Sequence, residues 1–249
     1  MKVRLTDAVL ELDELGAGDP LLLLHGFPAT GRLWSGVAPR LAEHFRLLVP
    51  DLAGYGESRS ARIDMHSQAD FMLELLDLRG LARVCVVAHD VGTAVAQLMV
   101  AQAPERVSKL VLMDGVCGTE WAMEAIGSIQ SWDPLKAARL APVLARKLGK
   151  SARKMLSAWE GEEGGLRLIA AARALDPRQT ADLAAKLRAF AGPSLVLWGA
   201  QDAYLSADEV GGPLATLLHA ELVLIEGGHF LPLDAPEAVA ARLLEFLRA

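Results

Sequence analysis

The segment Val86–Ala94 places one aspartate between an apolar run and a series of small residues. Asp90 has Ala88 two positions before it and Gly92 two positions after it. Small residues are needed at these places when a strand turns sharply into a helix, because the two elements then pass close together. The turn exposes the side chain at its tip beside the N–H groups of the helix start, which stabilise negative charge. Taken alone, the pattern fits a nucleophile elbow with Asp90 at its tip and an aspartate that caps a helix N-terminus equally well.

Two further groups follow in the order that a catalytic triad requires. Asp202 comes after one apolar run, and His229 ends a Gly-Gly-His sequence after the next run. A carboxylate can orient an imidazole and stabilise its positive charge, and an imidazole can act as a general base or acid. We therefore predict that Asp90, Asp202 and His229 form a triad. Asp114 is a second candidate for the acid, although the Asp-Gly pair that it begins is typical of a simple turn.

The elements that must position these groups are short apolar runs alternating with helical patterns. The apolar runs are typical of strands buried on both faces of a parallel sheet. They are Leu21–Leu24, Leu47–Val49, Val84–Ala88, Leu110–Met113, Leu195–Trp198 and Leu222–Ile225. The helical patterns are Leu33–Phe45, Ser67–Leu78, Thr93–Ala103 and Pro236–Leu247. This alternation predicts an α/β fold with a doubly wound, mostly parallel sheet.

The alternation stops between residues 118 and 192, where helical patterns rich in Ala, Leu and Arg replace it. These patterns are Leu135–Leu148, Ala152–Trp159, Leu166–Leu175 and Thr180–Phe190. A helical insertion between two parallel strands would lie over the carboxyl ends of the strands. We therefore predict one structural domain in which residues 118–192 form a lid on a core of residues 1–117 and 193–249. The alternative is that these helices pack against a flank of the core.

The composition limits the kinds of partner that the chain can have. Its 249 residues are 52% apolar and carry a net charge of −6, without a cluster of Lys and Arg. These features argue against nucleic acid or a membrane surface as a partner and favour a small molecule. The two cysteines and six histidines lack the spacing of a disulfide framework or a metal site, so we predict no metal and no cofactor. Because the N-terminus lacks the apolar core of a signal peptide, we expect a cytoplasmic protein.

On these and further motifs, the whole chain resembles the α/β-hydrolase superfamily. It is most similar to the branch with an aspartate nucleophile, which contains haloalkane dehalogenases, haloacetate dehalogenases and epoxide hydrolases. The further motifs are His25–Pro28 with Trp34, Asp51–Ser58, and Gly228–Phe230 with Ala235–Glu237. The resemblance implies an eight-stranded sheet with a helical lid inserted before the strand that carries the acid. It also implies that the backbone N–H groups of Phe27 and Val91 form an oxyanion hole.

An aspartate nucleophile implies a particular reaction. A carboxylate is already an anion at neutral pH, and it can displace a leaving group from saturated carbon to form an alkyl ester. His229 would then activate a water that attacks the carbonyl carbon of the Asp90 ester, while Asp202 orients His229. The oxygen held in the oxyanion hole would therefore belong to the enzyme and not to the substrate.

The leaving group is only partly defined by the sequence. Epoxide hydrolases supply two lid tyrosines, whereas the tyrosines here are Tyr55 and Tyr204, outside the lid. Haloalkane dehalogenases usually place Trp after the nucleophile and haloacetate dehalogenases place arginines there, but this chain has Val91, Thr93 and Ala94. Tryptophans that could line a substrate pocket, or could equally be packing residues, are Trp34, Trp121, Trp132 and Trp159.

Cleavage of a carbon–halogen bond in a small organic substrate is the function that these residues favour. Epoxide hydrolysis and hydrolysis of a carboxylic ester or lactone are alternatives on the same fold. The ester alternative includes the possibility that Asp90 stands where a serine once stood, since the small elbow residues would suit a serine equally well. A ligand sensor with slow turnover is an alternative from another class, supported by fold analogy alone.

Overall fold

A computed structural model describes residues 1–133, 135–137, 139–140, 143, 153 and 155–249. Within these residues nine strands form one sheet: β1 Lys2–Arg4, β2 Ala8–Leu15, β3 Asp19–Leu24, β4 Phe45–Pro50, β5 Arg59–Ser60, β6 Val84–His89, β7 Val107–Met113, β8 Ser194–Gly199 and β9 Glu221–Ile225. Eight of them follow the order β1-β2-β4-β3-β6-β7-β8-β9, and β5 pairs with β2. The strands from β4 to β9 along this order are parallel, and the pairs that contain β2 are antiparallel.

The predicted α/β fold with a mostly parallel, eight-stranded sheet is confirmed, and the two-residue β5 is an addition to it. All six residues of β6 are buried, as expected for a central strand covered on both faces. The carboxyl ends of parallel strands lie at one edge of the sheet. Asp90, Asp114, Asp202 and His229 therefore share that edge, because they follow β6, β7, β8 and β9.

The helices before β7 and after β8 pack against the strands and against one another. In the described residues they are α1 Ala38–Leu41, α2 Met65–Leu78, α3 Gly92–Gln102, α7 Gly212–Leu217, α8 Leu231–Asp234 and α9 Pro236–Arg248. The predicted helix Leu33–Phe45 is wrong in its extent. A 3-10 turn at Gly31–Gly36 precedes α1, and Phe45 begins β4. Pro39 explains the break, because proline fits the first turn of a helix but not its interior.

The segment between β7 and β8, here called the inserted segment (residues 118–192), contains helices α4 Met123–Gln130, α5 Gly161–Ala174 and α6 Ala184–Arg188. It also contains 3-10 turns at Ser157–Trp159 and Pro177–Thr180. The predicted helix Leu166–Leu175 corresponds to α5, whereas Thr180–Phe190 shortens to α6. Most of Leu135–Leu148 and the start of Ala152–Trp159 lie outside the described residues. The division into core and lid stays a prediction.

Helix α3 packs unusually close to the strand that precedes it. Its residues from Gly92 to Val100 are all buried. A side chain at Gly92 would overlap the carbonyl oxygen of His25, and one at Gly26 would overlap the side chain of Asp90. Glycine is therefore required at both positions, where the loop that follows β3 contacts the turn between β6 and α3. None of the helices in the described part of the chain combines the length and the apolar character that crossing a membrane requires.

Candidate active site

Asp90 occupies a strained turn between β6 and α3. Its φ of 51° lies in the left-handed region, and its side chain is buried. The Asp90 N–H donates to the Met113 carbonyl at 3.0 Å, and Thr93 donates to the Asp90 carbonyl through its N–H and its hydroxyl at 2.9 and 2.6 Å. A left-handed non-glycine residue costs on the order of 1–3 kcal/mol and persists only where surrounding contacts hold it. The turn therefore has the geometry of a nucleophile elbow.

The structure brings the three predicted triad residues together. His229 Nδ1 donates to Asp202 Oδ2 at 2.9 Å, and His229 Nε2 lies 3.6 Å from Asp90 Oδ1. The other oxygen of Asp202 accepts the N–H groups of Tyr204 and Leu205 at 2.8 and 3.1 Å. The imidazole is thus fixed by one carboxylate and directed at the other.

The charges of these groups reinforce one another. Burial disfavours the charged form of His229, but hydrogen bonds to Asp202 and Asp90 outweigh that effect and raise its pKa to about 10. Burial likewise opposes ionisation of Asp202, yet the bond from His229 and the two backbone N–H groups hold its pKa below the ordinary value. The resting site at neutral pH therefore contains an imidazolium between two acidic side chains.

The predicted oxyanion donors lie on either side of Asp90. The Phe27 N–H donates to Asp90 Oδ2 at 2.7 Å. Val91 directly follows Asp90 at the N-cap of α3, and within the described residues its N–H has no hydrogen-bond partner. The Phe27 N–H already contacts Oδ2, and a free N–H at a helix start can also stabilise negative charge nearby.

Asp114, the alternative acid, bonds to a different partner. Its Oδ1 accepts the N–H of Gly199 at 2.6 Å, and its buried Oδ2 has no hydrogen-bond partner among the described residues. Burial raises the pKa of Asp114 well above its ordinary value, although His229 and the Gly199 N–H act in the opposite direction. A neutral Asp114 side chain that bonds to the start of the loop carrying Asp202 suits a structural role, whereas Asp202 itself contacts the imidazole of His229.

Replacing Asp114 by Asn is expected to change how stability depends on pH. The native carboxyl retains a proton that the unfolded chain releases above about pH 4, so wild-type protein loses free energy of unfolding as pH rises from there towards the raised native pKa. Asp114→Asn keeps an oxygen that accepts the Gly199 N–H, but it has no carboxyl at this position, so this decline in the free energy of unfolding is absent. The free energy of unfolding of the variant, relative to wild type, should increase between about pH 4 and pH 8 in urea titrations. Parallel pH profiles would contradict the raised pKa.

Two buried histidines, His25 and His89, make hydrogen bonds next to the site. His89 Nε2 donates to the carbonyl of His229 at 2.7 Å, and the two rings lie 5.1 Å apart. Burial and the charge of His229 lower the pKa of His89 to about 4, so it stays neutral. His25 accepts the Leu52 N–H at Nε2 and donates from Nδ1 to the Gly26 carbonyl, both at 2.9 Å.

A cavity of about 250 Å³ opens onto Asp90 and His229. Most of the described residues that line it are apolar: Phe27, Pro28, Ala122, Ala125, Ile126, Ile129, Leu156 and Phe230. The polar lining residues are Asp90, Ser128, Trp132, Tyr204 and His229. Helix α4 and the residues just before it form one wall. An apolar cavity with few polar groups is the usual form of a small-molecule site.

Of the four tryptophans predicted for the pocket, only Trp132 lines this cavity. The other three are buried elsewhere, which corrects their assignment. Trp121 donates its indole N–H to Thr180 at 3.0 Å, and Trp159 donates to the Pro28 carbonyl at 2.6 Å. Trp34 lies in the turn Gly31–Gly36. Which tryptophans line the cavity depends on packing between residues distant in the sequence, and sequence spacing does not reveal that packing.

Tyr204 and helix α4 are cavity elements that the sequence reasoning missed. The Tyr204 ring meets the ring of His229 edge-on, with 5.2 Å between centroids. The signal was available, because Tyr204 follows Asp202 by two positions and must lie near the imidazole. No group of three His, Cys, Asp or Glu side chains in the described ranges could hold a metal ion, and we identify no residues arranged to hold a cofactor.

Comparison with known proteins identifies the family of the chain. The profile of the alpha/beta hydrolase fold family matches residues 19–152, more than half of the sequence. The chain belongs to this α/β-hydrolase family. A solved structure of a putative epoxide hydrolase from Pseudomonas aeruginosa is similar to the α/β-hydrolase with a TM-score of 0.78 and 27% identity, and the match covers 100% of this chain and 94% of that one.

Curated relatives of the α/β-hydrolase have several activities. It is 33% identical to the dihydrolipoyllysine-residue acetyltransferase component of an acetoin cleaving system from Pseudomonas putida, over 99% of this chain and 69% of that protein. It is 30% identical to a pimeloyl-[acyl-carrier protein] methyl ester esterase from Nitrosomonas europaea, over 92% of this chain and 96% of that protein. It is 27% identical to haloalkane dehalogenase 2 from Mycobacterium bovis, over 92% of this chain and 88% of that protein. The chain is a hydrolase enzyme, similar to dehalogenases and epoxide hydrolases.

Proposed function

We propose that this α/β-hydrolase cleaves a carbon–halogen bond of a small organic substrate through an alkyl ester of Asp90. The observation that carries the proposal is a carboxylate at the tip of the elbow, with the Phe27 N–H on one oxygen and His229 Nε2 3.6 Å from the other. A carboxylate can attack saturated carbon without a general base. On an acyl ester the same attack would revert, because a carboxylate leaves more easily than an alkoxide.

In the first step Asp90 Oδ1 forms a bond to the substrate carbon. The carbon–halogen bond breaks, and the halide leaves with the bonding electron pair. Oδ2 stays on the Phe27 N–H, which it already contacts at 2.7 Å. Because Asp90 becomes a neutral ester, one of the two charges that raise the pKa of His229 disappears. The imidazole can then release its proton to solvent and become a base.

In the second step a water molecule attacks the carbonyl carbon of the Asp90 ester. His229 Nε2 takes the proton of the water, and negative charge develops on Oδ2 between the N–H groups of Phe27 and Val91. The bond between the ester carbon and Oδ1 then breaks, and the alcohol receives the proton from His229. The second proton of the water passes from the new Asp90 carboxyl to His229, which restores the carboxylate and the imidazolium. Asp202 holds the imidazole and balances its charge during this cycle.

The cavity favours a neutral substrate over a haloacid. None of its described lining residues is Lys or Arg, and the one cation of the lining, the His229 imidazolium, already pairs with Asp202 and Asp90. A substrate carboxylate would therefore enter the cavity without a free cation to pair with. The eight apolar lining residues suit an alkyl chain instead. Trp132 supplies an indole N–H at the cavity wall that has no hydrogen-bond partner in the described part of the chain. We propose this N–H as a donor to the leaving halide.

Tyr204 supports epoxide hydrolysis as a second candidate. An epoxide oxygen needs a proton when its ring opens, and a phenol keeps its proton at neutral pH. The structure brings Tyr204 to the cavity from the loop that carries Asp202, although the sequence has no tyrosine in the inserted segment. The same Asp90 ester would form, and only the leaving group would differ.

A small substrate panel tests the proposal. Purified protein is incubated with bromoalkanes, bromoacetate, styrene oxide and short acyl esters, and the release of bromide, diol and acid is measured. We expect bromide from neutral bromoalkanes and little or none from bromoacetate. Diol without bromide would select the epoxide alternative, acid from acyl esters would select the ester alternative, and tight binding without any product would select the sensor.

We also propose a cytoplasmic location and a small-molecule substrate, with no nucleic-acid or membrane partner. Cys85 and Cys117 are both buried and free. Buried thiols without disulfide bonds are typical of a reducing compartment.

A further inference from the structure

One tryptophan of the inserted segment contacts the loop that carries an oxyanion donor. Trp159 is fully buried, and its indole N–H donates to the carbonyl oxygen of Pro28 at 2.6 Å. Pro28 directly follows Phe27, whose N–H donates to Asp90 Oδ2. The two residues are 131 positions apart in the sequence, so this bond joins the inserted segment to the nucleophile through a single intervening residue.

The ring of Trp159 is itself held firmly. Its centroid lies 5.6 Å from that of Tyr55 in an edge-on contact, and Tyr55 makes a similar contact with Phe27 at 6.4 Å. The guanidinium of Arg167 lies over the Trp159 ring at 5.7 Å. Arg167 also donates to the carbonyl oxygens of Gly56 and Ala158, at 2.5 and 2.7 Å. The indole therefore has a defined position from which to fix the loop.

We propose that Trp159 is a positioning residue for the oxyanion hole and acts on ester hydrolysis more than on ester formation. The inference rests on the proposed function, because it assigns Trp159 to one of the two steps at Asp90. By holding the Pro28 carbonyl, the indole sets the direction in which the preceding Phe27 N–H points. The Gly26 carbonyl belongs to the same peptide group as the Phe27 N–H, and it accepts the Ala29 N–H and His25 Nδ1, both at 2.9 Å. Trp159 adds a further restraint two peptide groups along the loop, at the Pro28 carbonyl.

The two steps differ in their demand on this N–H. During ester formation the negative charge on Asp90 declines, so a hydrogen bond to Oδ2 is no stronger in the transition state than in the resting enzyme. During ester hydrolysis charge builds up on Oδ2, and the direction of the N–H then matters most. A misdirected Phe27 N–H should slow hydrolysis of the ester and leave its formation nearly unchanged.

Trp159→Phe removes the indole N–H and keeps an aromatic ring, and Trp121→Phe is the matched control. Trp121 is also a buried tryptophan of the inserted segment, but its N–H donates to Thr180 and not to the oxyanion loop. In rapid-quench experiments with the substrate that the panel identifies, we expect Trp159→Phe to slow ester hydrolysis about 10-fold or more, with ester formation within about 3-fold of wild type. The alkyl-enzyme should then accumulate. The control should keep both rates within about 3-fold.

A second variant guards against misfolding. Replacing Trp159 by 3-benzothienyl-alanine changes the N–H to sulfur and keeps the shape of the ring, and it should give the same accumulation of alkyl-enzyme. Equal slowing of both steps, or unchanged ester hydrolysis in this folded variant, would overturn the proposal.

A readout without turnover separates this proposal from the proposed function. The backbone amide resonance of Phe27 should shift and exchange faster with solvent when the Trp159 N–H is removed, and should change less in Trp121→Phe. If the amide responds in this way but no substrate yields an ester of Asp90, the proposed function fails and the positioning contact stands. If the ester forms but the amide does not respond, the positioning role fails and the function stands.

Discussion

Replacing His229 by Gln is expected to stop the reaction at the ester of Asp90. Attack on saturated carbon needs only the carboxylate, so one equivalent of leaving group should be released per enzyme. Hydrolysis of the ester needs a base at the position of Nε2, which lies 3.6 Å from Asp90 Oδ1. Loss of a general base typically costs a factor of about 100 to 10,000, so turnover should fall to a trace. Mass spectrometry of the peptide that contains Asp90 should show the added alkyl group.

The matched control is His66→Gln, because His66 is an exposed position on helix α2. This variant should turn over like wild type and show no added mass. A further readout uses wild-type enzyme in ¹⁸O-labelled water under single-turnover conditions, where the label should enter Asp90 and not the alcohol. Label in the first alcohol formed, or an unmodified Asp90 in His229→Gln despite leaving-group release, would rule out the ester.

Replacing Asp202 by Asn is expected to lower turnover about 10,000-fold, the loss typical when the acid of a triad is replaced by its amide. The carboxylate accepts the Nδ1 proton of His229 at 2.9 Å and is one of the two charges that hold the imidazole as a cation. An amide removes that charge and can donate to Nδ1, which would leave the wrong ring nitrogen protonated. The Michaelis constant should change much less, since Asp202 does not line the cavity.

Asp114→Asn serves as the control for the acid. Its carboxyl bonds to the Gly199 N–H and not to the imidazole, and an amide oxygen can accept the same bond. Turnover should therefore stay within about 10-fold of wild type. A larger loss of turnover in Asp114→Asn than in Asp202→Asn would show that Asp114 is the acid of the triad and that Asp202 has the structural role.

The parts of the fold that local pattern controls were predictable from the sequence. Runs such as Val84–Ala88 are continuous and apolar because both faces of their strand are buried, and that composition is visible without a structure. The position of Asp90 at a turn was equally predictable. A strand that turns sharply into a helix needs small residues two positions before and after the tip, and Ala88 and Gly92 are such residues. Chain order then placed Asp202 and His229 at the same edge of the sheet.

Features that depend on distant contacts were not predictable in this way. Trp132 and Trp159 have similar local sequence character, yet one lines the cavity and the other bonds to Pro28, 131 residues away. Helix α4 escaped prediction because it is only eight residues long and contains Gly127 and Ser128, which are weak helix formers. Tyr204 was discounted because its loop belongs to the core, although that loop reaches the cavity.

The apolar lining around Asp90 has a consequence for the exit of products. In the proposed reaction the carboxylate of Asp90 loses its charge when the ester forms and regains it when the ester is hydrolysed. The regained charge lies in a largely apolar cavity, where its repulsion of an anion is weakly screened. A halide still in the cavity would therefore be repelled as the proposed cycle closes, whereas the next uncharged substrate would not, and no separate group would be needed to clear the anion.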